Sequence, residues 1–482
     1  MIRNKKIYFS LLSVFVFFFT ATAIAVEKVT AQVVDVGAGL CVPIKIESGG
    51  KTYHILYDAG AQLSEDNKNH CINAVNDFLG KNNTIIDRMI ISHADADHIY
   101  DADEILAEYR VIEVIRNGKE KDTDAWRNLN EAIKESRSIT DTSACESNTN
   151  NKFQLGTAKI TIIPPEECGI DSEHSIMAKI ELGDYSLILT GDAEKTTIKS
   201  AIDRGFDLKA SVILAPHPIS HDPADVAVFT GTNKIENRHK YVIFSAGRKY
   251  SYPRREIVKE YLLQNIPVKN IFRTDLGEVS EGDDEWAWCT KSYDEDKPAN
   301  NSIEIEWTDS DGSLAVNYIN KDSQGIYKEC ISWEGSPFVI DGDTLGVVNA
   351  DVFGTIGAIE RKIRLFGIDS PEFGQYCSDE KGEKYECGKR TIEALEKKIG
   401  NNVIRCEIES IDAYRRPLAV CSLGDTNLNK WLIEQGYAEA YREYSTDYVG
   451  YELIAQRDKK GIWKGLFISP QDWRRGVRYN DK

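Results

Sequence analysis

The feature that most constrains this chain is the run Ile90-Ile-Ser-His-Ala-Asp-Ala-Asp-His98, in which four possible metal ligands fall within six positions. Its apolar start predicts the end of a buried strand, and the chain then turns into a helix. Alternate side chains of an extended stretch point the same way, so we expect His93 and Asp95 to hold one ion and Asp97 and His98 another. Few structural roles need this density; the alternative is a solvated acidic loop.

Strand-like runs alternate with helical patterns from Lys28 to about Trp286, which predicts an α/β layered domain. The strand-like runs are Thr30–Val36, Thr52–Tyr57, Ile85–Ile91, Lys159–Ile163, Ala178–Leu182, Ser186–Leu189, Ser211–Leu214 and Tyr241–Phe244. The helical candidates are Cys71–Leu79, Asp124–Glu135, Glu194–Arg204 and Arg254–Leu263.

The polar stretch that follows contains Pro298 and an Asp311-Gly312 turn, which predicts a linker carrying a hairpin. We therefore predict a first domain over 26–286, a linker with a hairpin over 287–331 and a second domain over 332–482.

The N-terminus has the pattern of a secretory signal peptide over residues 1–25. Basic residues precede the apolar run Ile7–Phe19, and Ala23-Ile-Ala25 fits an A-x-A cleavage site. An uncleaved anchor is the alternative, but the apolar run is shorter than the ~20 residues that a membrane span needs. We expect a secreted or periplasmic protein with no stable membrane association after cleavage.

All ten cysteines lie beyond the signal segment, and an even count in an exported chain predicts disulfides. A hairpin centred near Ala413 and Tyr414 would place Cys406 opposite Cys421. Cys377 and Cys387 are then left to pair with each other. The six remaining cysteines allow 15 connectivities, so their partners stay open.

The histidine-aspartate run resembles the H-x-H-x-D-H signature of the metallo-β-lactamase fold, with Asp95 at the second histidine. The form S-H-x-D-x-D-H is typical of this domain in bacterial competence DNA-uptake channels. Further pieces resemble that group in the same order, over about 29–279: Asp35-Val-Gly-Ala-Gly39, Tyr57-Asp58-Ala-Gly60, Leu189-Thr-Gly-Asp192, Ala215-Pro-His217, and Ser245-Ala-Gly247 with Arg273-Thr-Asp275. The resemblance implies an αββα sandwich.

The resemblance also implies a dinuclear metal site. Its ligands, carried over by position, are His93 and Asp95 for the first ion, Asp97, His98 and His217 for the second, Asp192 as the bridge, and His174 as a further ligand. Two cations would lower the pKa of a shared water. Two zinc or manganese ions are expected, since a carboxylate in place of an imidazole hardens the site. His174 could equally be an ordinary loop histidine, and Pro218 departs from the paired histidines of the family's loop.

A second set of charged residues lies near the C-terminus. Asp343 and Asp369 offer oxygen ligands to a hard cation such as calcium, and Glu372 could act as a base on water. Arg364 and Arg416 offer forked donors to a phosphate. Such a set suits phosphodiester cleavage, where electrostatic stabilisation is usually the largest contribution. A surface network of salt bridges is the alternative.

These clusters resemble the thermonuclease (staphylococcal-nuclease-like) family from Phe338 to about Trp473. The resemblance implies an OB-fold β-barrel with helices, and it assigns roles by motif: Asp343 and Asp369 bind calcium, Glu372 is the general base, Arg364 and Arg416 clamp the scissile phosphate, and Tyr414 faces that phosphate. Ala413 stands where some members carry lysine, so one phosphate contact is missing.

The formal charge of -18 argues against binding nucleic acid by bulk attraction. Residues 331–482 contain 22 Lys plus Arg against 25 Asp plus Glu, so the acidity lies in the first part of the chain. We predict an α+β multidomain exported nuclease that acts on DNA, RNA or both through both sites. The alternatives are that only the C-terminal domain is catalytic and the other binds or positions, or that the chain is a non-nuclease extracellular metallohydrolase.

Overall fold

The computed structural model describes residues 27–478, apart from 38, 62–69, 81–82, 120, 137–138, 146–150, 170–173, 217–222, 232–233, 246–254, 275–301, 310–311, 320–331, 348–361, 413 and 415. The expected signal peptide, His217 with Pro218, and the cysteines Cys289 and Cys330 lie outside this part of the chain. Among the helices described, none is long and apolar enough to cross a membrane.

The first part of the chain contains two sheets. Its strands are β1 Lys28–Val33, β2 Cys41–Ser48, β3 Lys51–Ala59, β4 Ile85–Ile90, β5 Arg110–Arg116, β6 Thr140–Ser143, β7 Lys152–Leu155, β8 Ala158–Ile163, β9 Met177–Leu182, β10 Tyr185–Leu189, β11 Val212–Leu214, β12 Tyr241–Phe244, β13 Ile271–Arg273, β14 Ile303–Thr308 and β15 Leu314–Tyr318. One sheet has the order β15-β14-β1-β2-β3-β4-β5-β6, and the other has the order β13-β12-β11-β10-β9-β8-β7.

Helices pack against strands of both sheets. They are α1 His70–Leu79, α2 Ala96–Ile99, α3 Ala102–Glu108, α4 Asp124–Glu135, α5 Lys195–Asp203, α6 Pro223–Thr230, α7 Lys234–Asn237 and α8 Arg255–Leu263. Trp126 and Leu129 of α4 are buried with Met89 of the first sheet, whereas Ile44 and Leu187, one from each sheet, share another buried cluster. The β4 strand therefore ends between layers, where His93 and His98 follow it.

The hairpin that the sequence predicts within 287–331 is present as β14–β15, and it joins the first sheet. The sequence assigns it to a connecting segment, but β14 pairs antiparallel with β1, from Lys28 opposite Thr308 to Val33 opposite Ile303. Ile305 and Trp307 alternate with polar residues, and their inward faces are buried in the cluster that the two sheets share. Burial of these apolar side chains explains why the segment joins the sheet.

The second part of the chain has its own sheet. Its strands are β16 Ser332–Gly335, β17 Phe338–Asp341, β18 Thr344–Gly346, β19 Lys362–Leu365, β20 Ile368–Asp369, β21 Tyr376–Ser378, β22 Lys384–Glu386, β23 Ile404–Ile411, β24 Pro417–Leu423, β25 Thr426–Asn427 and β26 Glu439–Ala440. The order is β16-β23-β24-β19-β18-β17 with β25 on β24; β20 pairs β26, and β21 pairs β22. The helices are α9 Cys387–Ile399, α10 Leu428–Glu434, α11 Val449–Arg457 and α12 Pro470–Arg474.

The two parts pack against each other through α8 and β23. Val258 and Leu262 of α8 belong to one buried cluster with Ile408 and Ile411 of β23. Arg238 also lies over the ring of Phe366 at 4.6 Å. The interface is therefore apolar at its centre, as expected for a contact that fixes two domains.

Four disulfides join described residues: Cys41–Cys71, Cys145–Cys168, Cys377–Cys387 and Cys406–Cys421. The last two are the pairs that the sequence predicts, and Cys406 lies opposite Cys421 in the β23–β24 ladder as the hairpin requires. The first two pairs could not be read from the sequence, because both depend on long-range packing.

Candidate functional site

The first candidate site lies beyond the C-terminal end of β4. His93, His98 and Asp192 are buried there, and one ligand atom from each lies within 4.8 Å of the others. The Nε2 atom of His93 is 3.7 Å from Asp192 Oδ2, and the Nε2 atom of His98 is 3.3 Å from Asp192 Oδ1. The carboxylate of Asp192 thus faces both imidazoles, as expected of a bridging or shared ligand.

A buried aspartate orients His98. Asp58, which is fully buried at φ +55°, accepts hydrogen bonds at 2.7 Å from both the backbone N and the Oγ of Ser92, and its Oδ2 lies 2.8 Å from His98 Nδ1. The backbone just after Asp58 lies against the backbone that carries His98, because a Cβ on Gly60 would lie 1.5 Å from the backbone oxygen of Asp97. A partner on Nδ1 leaves Nε2 directed at Asp192, which is the usual arrangement around a metal-binding histidine.

A serine plays the matching part for His93. Ser175 Oγ lies 3.2 Å from His93 Nδ1 and accepts a hydrogen bond from the backbone N of Asp192 at 3.1 Å. One hydroxyl therefore aligns the first histidine with the aspartate, although they are almost one hundred residues apart. None of these three supporting residues is among the predicted site residues, although Ser92 falls within the S-H-x-D-x-D-H form and Asp58 within Tyr57-Asp-Ala-Gly60.

Burial and neighbouring charges set the protonation of the site. Burial, together with the nearby His98, lowers the pKa of His93 to about 3, so this imidazole is neutral. Burial by itself would lower the pKa of His98, but the carboxylates of Asp192 and Asp58 outweigh it and raise the pKa well above its ordinary value. A proton therefore holds His98 between two carboxylates, and a bound cation would replace that proton.

The donor set fits a transition-metal ion. Two imidazoles and one carboxylate are the ligands that zinc and manganese accept, and His93 Nε2 is buried with no hydrogen-bond partner among the described residues. The other predicted ligands are less closely placed. Asp95 Oδ2 lies 3.8 Å from His93 Nε2, but its other oxygen pairs with Lys121, which the sequence analysis did not consider.

The remaining predicted ligands fall outside this three-residue group. Asp97 and His174 are half-buried and do not join it, and His217 lies outside the described residues. The described structure therefore brings together His93, His98 and Asp192, with Asp95 at the edge.

The second candidate site lies where β18, β19 and β20 meet. Asp343 stands in the turn between β17 and β18, Asp369 ends β20, and Arg364 lies on β19 opposite Thr344. One nitrogen of the Arg364 guanidinium pairs with Asp343 Oδ2, and the other donates to Asp369 Oδ1 at 2.8 Å. The backbone N of Ser370 donates to Asp343 Oδ2 at 2.8 Å. The two predicted calcium ligands thus converge on one side chain.

A second arginine enters from the end of the chain. Arg474, on α12, donates to both oxygens of Asp369 at 2.9 and 2.8 Å and to Glu372 Oε1 at 2.6 Å. It joins the predicted calcium ligand and the predicted base into one cluster. Arg474 is not among the residues predicted from the sequence, because a single arginine in a polar C-terminal stretch carries no pattern.

The two other predicted phosphate-binding residues lie on the β23–β24 turn. Arg416 Nε donates to Asp412 Oδ2 at 2.8 Å, and its guanidinium is 5.5 Å from the Tyr414 ring, which is 77% exposed. Burial and Asp412 raise the pKa of Tyr444, while Arg364 and Arg416 both act to lower it. Both arginines are therefore close enough to Tyr444 to influence its pKa.

Negative charge accumulates around the carboxylates. Burial and the neighbouring Asp343 raise the pKa of Asp341 to about 6. Burial and Asp369 raise the pKa of Glu439 to about 7. Burial also raises the pKa of Asp369 although Arg474 and Arg364 oppose it. Several carboxylates that resist ionising together favour a multivalent cation with oxygen ligands, and this set fits calcium.

Comparisons with known proteins match the two parts of the chain to two different families. Residues 35–245 match the metallo-beta-lactamase superfamily, and residues 362–465 match the staphylococcal nuclease homologues. An uncharacterized endonuclease of Haemophilus influenzae is 33% identical over 145 residues, which is 30% of this chain and 72% of the relative.

Two further relatives match smaller shares of their own length. The succinoglycan biosynthesis protein ExoI of Rhizobium meliloti is 34% identical over 136 residues, which is 27% of this chain and 64% of that protein. ComE operon protein 3 of Bacillus subtilis is 28% identical over 196 residues, which is 39% of this chain and 24% of that protein. The chain thus spans less than two thirds of each of these two relatives.

The folds and sites define a two-domain chain of hydrolase type. Through its second domain it belongs with the staphylococcal nuclease homologues, and its first domain is similar to the metallo-beta-lactamase superfamily over residues 35–245. The predicted fusion and its mixed α/β content are confirmed, whereas the αββα sandwich and the OB-fold barrel stay predictions.

Proposed function

We propose that the chain is an exported nuclease that hydrolyses phosphodiester bonds of DNA, RNA or both, with a calcium-dependent site in its second domain. The observation that carries this proposal is the meeting of Asp343 and Asp369 on Arg364, with Glu372 tied to the same cluster by Arg474. Oxygen ligands of this kind favour calcium. The similarity to the H. influenzae protein, which is named as an endonuclease, supports the same activity.

The residues of the second site divide the chemistry among them. Calcium held by the two buried aspartates would neutralise charge on the scissile phosphate. Arg364 and Arg416 donate forked hydrogen bonds to the phosphate oxygens and stabilise the charge of the pentacovalent state. Glu372 accepts a proton from the attacking water. Tyr414, exposed beside Arg416, faces the same phosphate.

For the first domain we propose a metal-dependent hydrolase site in an αββα sandwich, and for the second an OB-fold barrel. Zinc or manganese ions would be held by His93, His98 and Asp192, and a dinuclear site adds Asp95, Asp97, His174 and His217. A water between such ions would reach the hydroxide form near neutral pH. The buried, neutral His93 supports the first ion most directly.

Export is also part of the proposal. Disulfides persist in oxidising compartments, and four of them join described residues. Together with the signal-like segment 1–25, they support a secreted or periplasmic protein without stable membrane association.

A second candidate function confines catalysis to the second domain and leaves the first as a binding or positioning module. The ion pair between Lys121 and Asp95 favours this candidate, because a lysine ammonium there takes the place of a metal charge on Asp95. The two candidates differ in how many transition-metal ions the first domain binds.

Cleavage assays under single metals test both candidates. The mature protein would be incubated with circular single-stranded DNA, duplex DNA and RNA, in calcium, manganese or zinc separately. We expect cleavage in calcium that Glu372→Gln reduces by ~10² or more and that the exposed control Glu383→Gln leaves unchanged. Circular substrates distinguish internal cuts from cuts at ends.

Activity in manganese or zinc that His98→Ala abolishes would support two active sites. Calcium-only cleavage that His98→Ala leaves intact would favour the binding-module candidate. Equal cleavage by the wild type and Glu372→Gln in calcium would refute the proposed role of the second domain.

A further inference from the structure

We propose that Arg474 is a built-in competitor for calcium at the second site, so that its guanidinium must leave the carboxylates before the cation is fully held. This inference rests on the proposed calcium site and concerns a residue outside the nuclease family match, which ends at residue 465. It extends the proposed function by naming what sets the calcium concentration at which the site fills.

The contacts of Arg474 cover the atoms that calcium would use. Asp369 is fully buried, and both of its oxygens accept hydrogen bonds from Arg474, at 2.9 Å for Oδ1 and 2.8 Å for Oδ2. Oδ1 accepts a second hydrogen bond from Arg364 at 2.8 Å. Three of the roughly four lone-pair sites of this carboxylate are engaged by guanidinium groups, so it can ligate a cation through both oxygens only by giving up at least one of these bonds.

The same guanidinium also engages the predicted base. Arg474 NH1 donates to Glu372 Oε1 at 2.6 Å, and the two side chains are 39% and 29% exposed. While this bond is made, Arg474 occupies a lone pair of Glu372 Oε1 that the base would otherwise offer to the attacking water. Arg474 therefore restrains metal binding and catalysis through one side chain.

The helix that carries Arg474 is fixed, whereas its guanidinium is accessible. Ser469 caps α12 by accepting from the backbone N of Asp472, and Pro470 is buried. The buried amide of Gln375 donates to the backbone oxygen of Ile468 at 2.7 Å. Because the backbone is anchored and the side chain is partly solvent-exposed, Arg474 can turn outward by rotamer change without unfolding α12.

Arg364 does not have the same freedom. Its side chain is 11% exposed and lies within the sheet, and it holds Asp343 and Asp369 together. Arg364 thus supports the metal ligands from within and can offer a phosphate only the N–H groups that these two bonds leave over, whereas Arg474 covers the ligands from the solvent side.

Calcium titration of the full mature chain tests the proposal directly. Isothermal titration would compare the wild type with Arg474→Gln, Arg474→Lys and the matched control Arg475→Gln, which removes a neighbouring arginine paired with exposed Asp472 at 3.5 Å. The heat of calcium binding would be assigned to the second site if it is lost in Asp343→Asn.

We expect Arg474→Gln to tighten calcium binding about tenfold, the low end for loss of a charge-assisted pair, because the half-exposed guanidinium is screened by solvent. Arg474→Lys should give a smaller gain, since lysine keeps the charge but loses the two-pronged contact. Arg475→Gln should match the wild type. Unchanged or weaker calcium binding in Arg474→Gln would overturn the proposal and make Arg474 a support for the site.

Two controls keep the outcomes distinct. If the thermal melt shows that Arg474→Gln does not fold, Arg474→Lys is used for the test instead. Tighter calcium binding by Arg474→Lys than by the wild type would support competition, and unchanged or weaker calcium binding would refute it. If the wild type binds calcium but cleaves no nucleic acid, the proposed function fails, while a tenfold gain in Arg474→Gln still supports competition.

Discussion

Replacing Asp58 by asparagine tests whether the first site is built to bind a metal. Asp58 contacts no predicted substrate and acts only through its hydrogen bonds to Ser92 and His98. An asparagine keeps the shape and one acceptor oxygen, but its amide NH2 group then faces the Ser92 hydroxyl and His98 Nδ1. His98 loses the partner that fixes its ring and its tautomer.

The size of the effect follows from this position. Loss of the carboxylate that supports a metal-binding histidine costs about 10- to 100-fold in metal affinity. The effect of Asp58→Asn should lie high in that range, because the Asp58 side chain is fully buried. The matched control is Asp77→Asn, which removes an exposed carboxylate on α1.

The assay is competition of the protein with a zinc chelator, with thermal melts in excess chelator to verify folding. Asp58→Asn should bind zinc more weakly than the wild type, and Asp77→Asn should match the wild type. Equal zinc affinity in Asp58→Asn and the wild type, with both folded, would refute the reasoning that Asp58 orients a ligand.

Three further predictions concern the rest of the chain. Trp307→Ala should lower the free energy of unfolding of the first domain by about 3–5 kcal/mol in urea denaturation, because the ring is buried in the core of the sheets. An unchanged free energy of unfolding would contradict the packing of the hairpin in that core. The pKa of Glu439 is raised to about 7 by burial and Asp369, so its contribution to stability is complete near pH 4 and is lost as the pH rises through 7. In chelator, the second domain should therefore lose stability from pH 5 to 8, and Glu439→Gln should reduce that decline; an unchanged pH profile would contradict the assignment. Arg416→Gln should lower kcat on DNA by ~10² with calcium affinity unchanged, whereas Arg405→Gln, on the exposed side of β23, should have no effect.

The local elements of the fold could be predicted from the sequence. Period-2 and period-3.6 patterns located β4, α4 and α8 within a few residues, because each element buries one face. The hairpin β14–β15 could not be assigned to its sheet, since its partner β1 lies about 270 residues earlier and pairing over that distance leaves no local pattern.

The site residues also differ in whether local sequence or the tertiary fold brings them together. His93 and His98 lie on one short turn, so their proximity follows from local geometry. Asp192 joins them only because β10 and β4 end beside each other, which the family resemblance supplied and periodicity could not.

The supporting residues were the least predictable. Asp58 depends on a positive φ near the buried end of β3, and no residue pattern encodes that conformation for aspartate. Lys121 and Arg474 are single cations in polar stretches, and only the folded chain brings them to the carboxylates of the two sites.

The central claim is that the carboxylate cluster of the second domain cleaves phosphodiester bonds with calcium. The most direct measurement is the initial rate of circular duplex DNA cleavage in calcium by the wild type and by Glu372→Gln, with calcium affinity determined for both. The account predicts a rate loss of ~10² or more in Glu372→Gln with calcium still bound. Equal rates, or no calcium-dependent cleavage by the wild type on DNA or RNA, would contradict it.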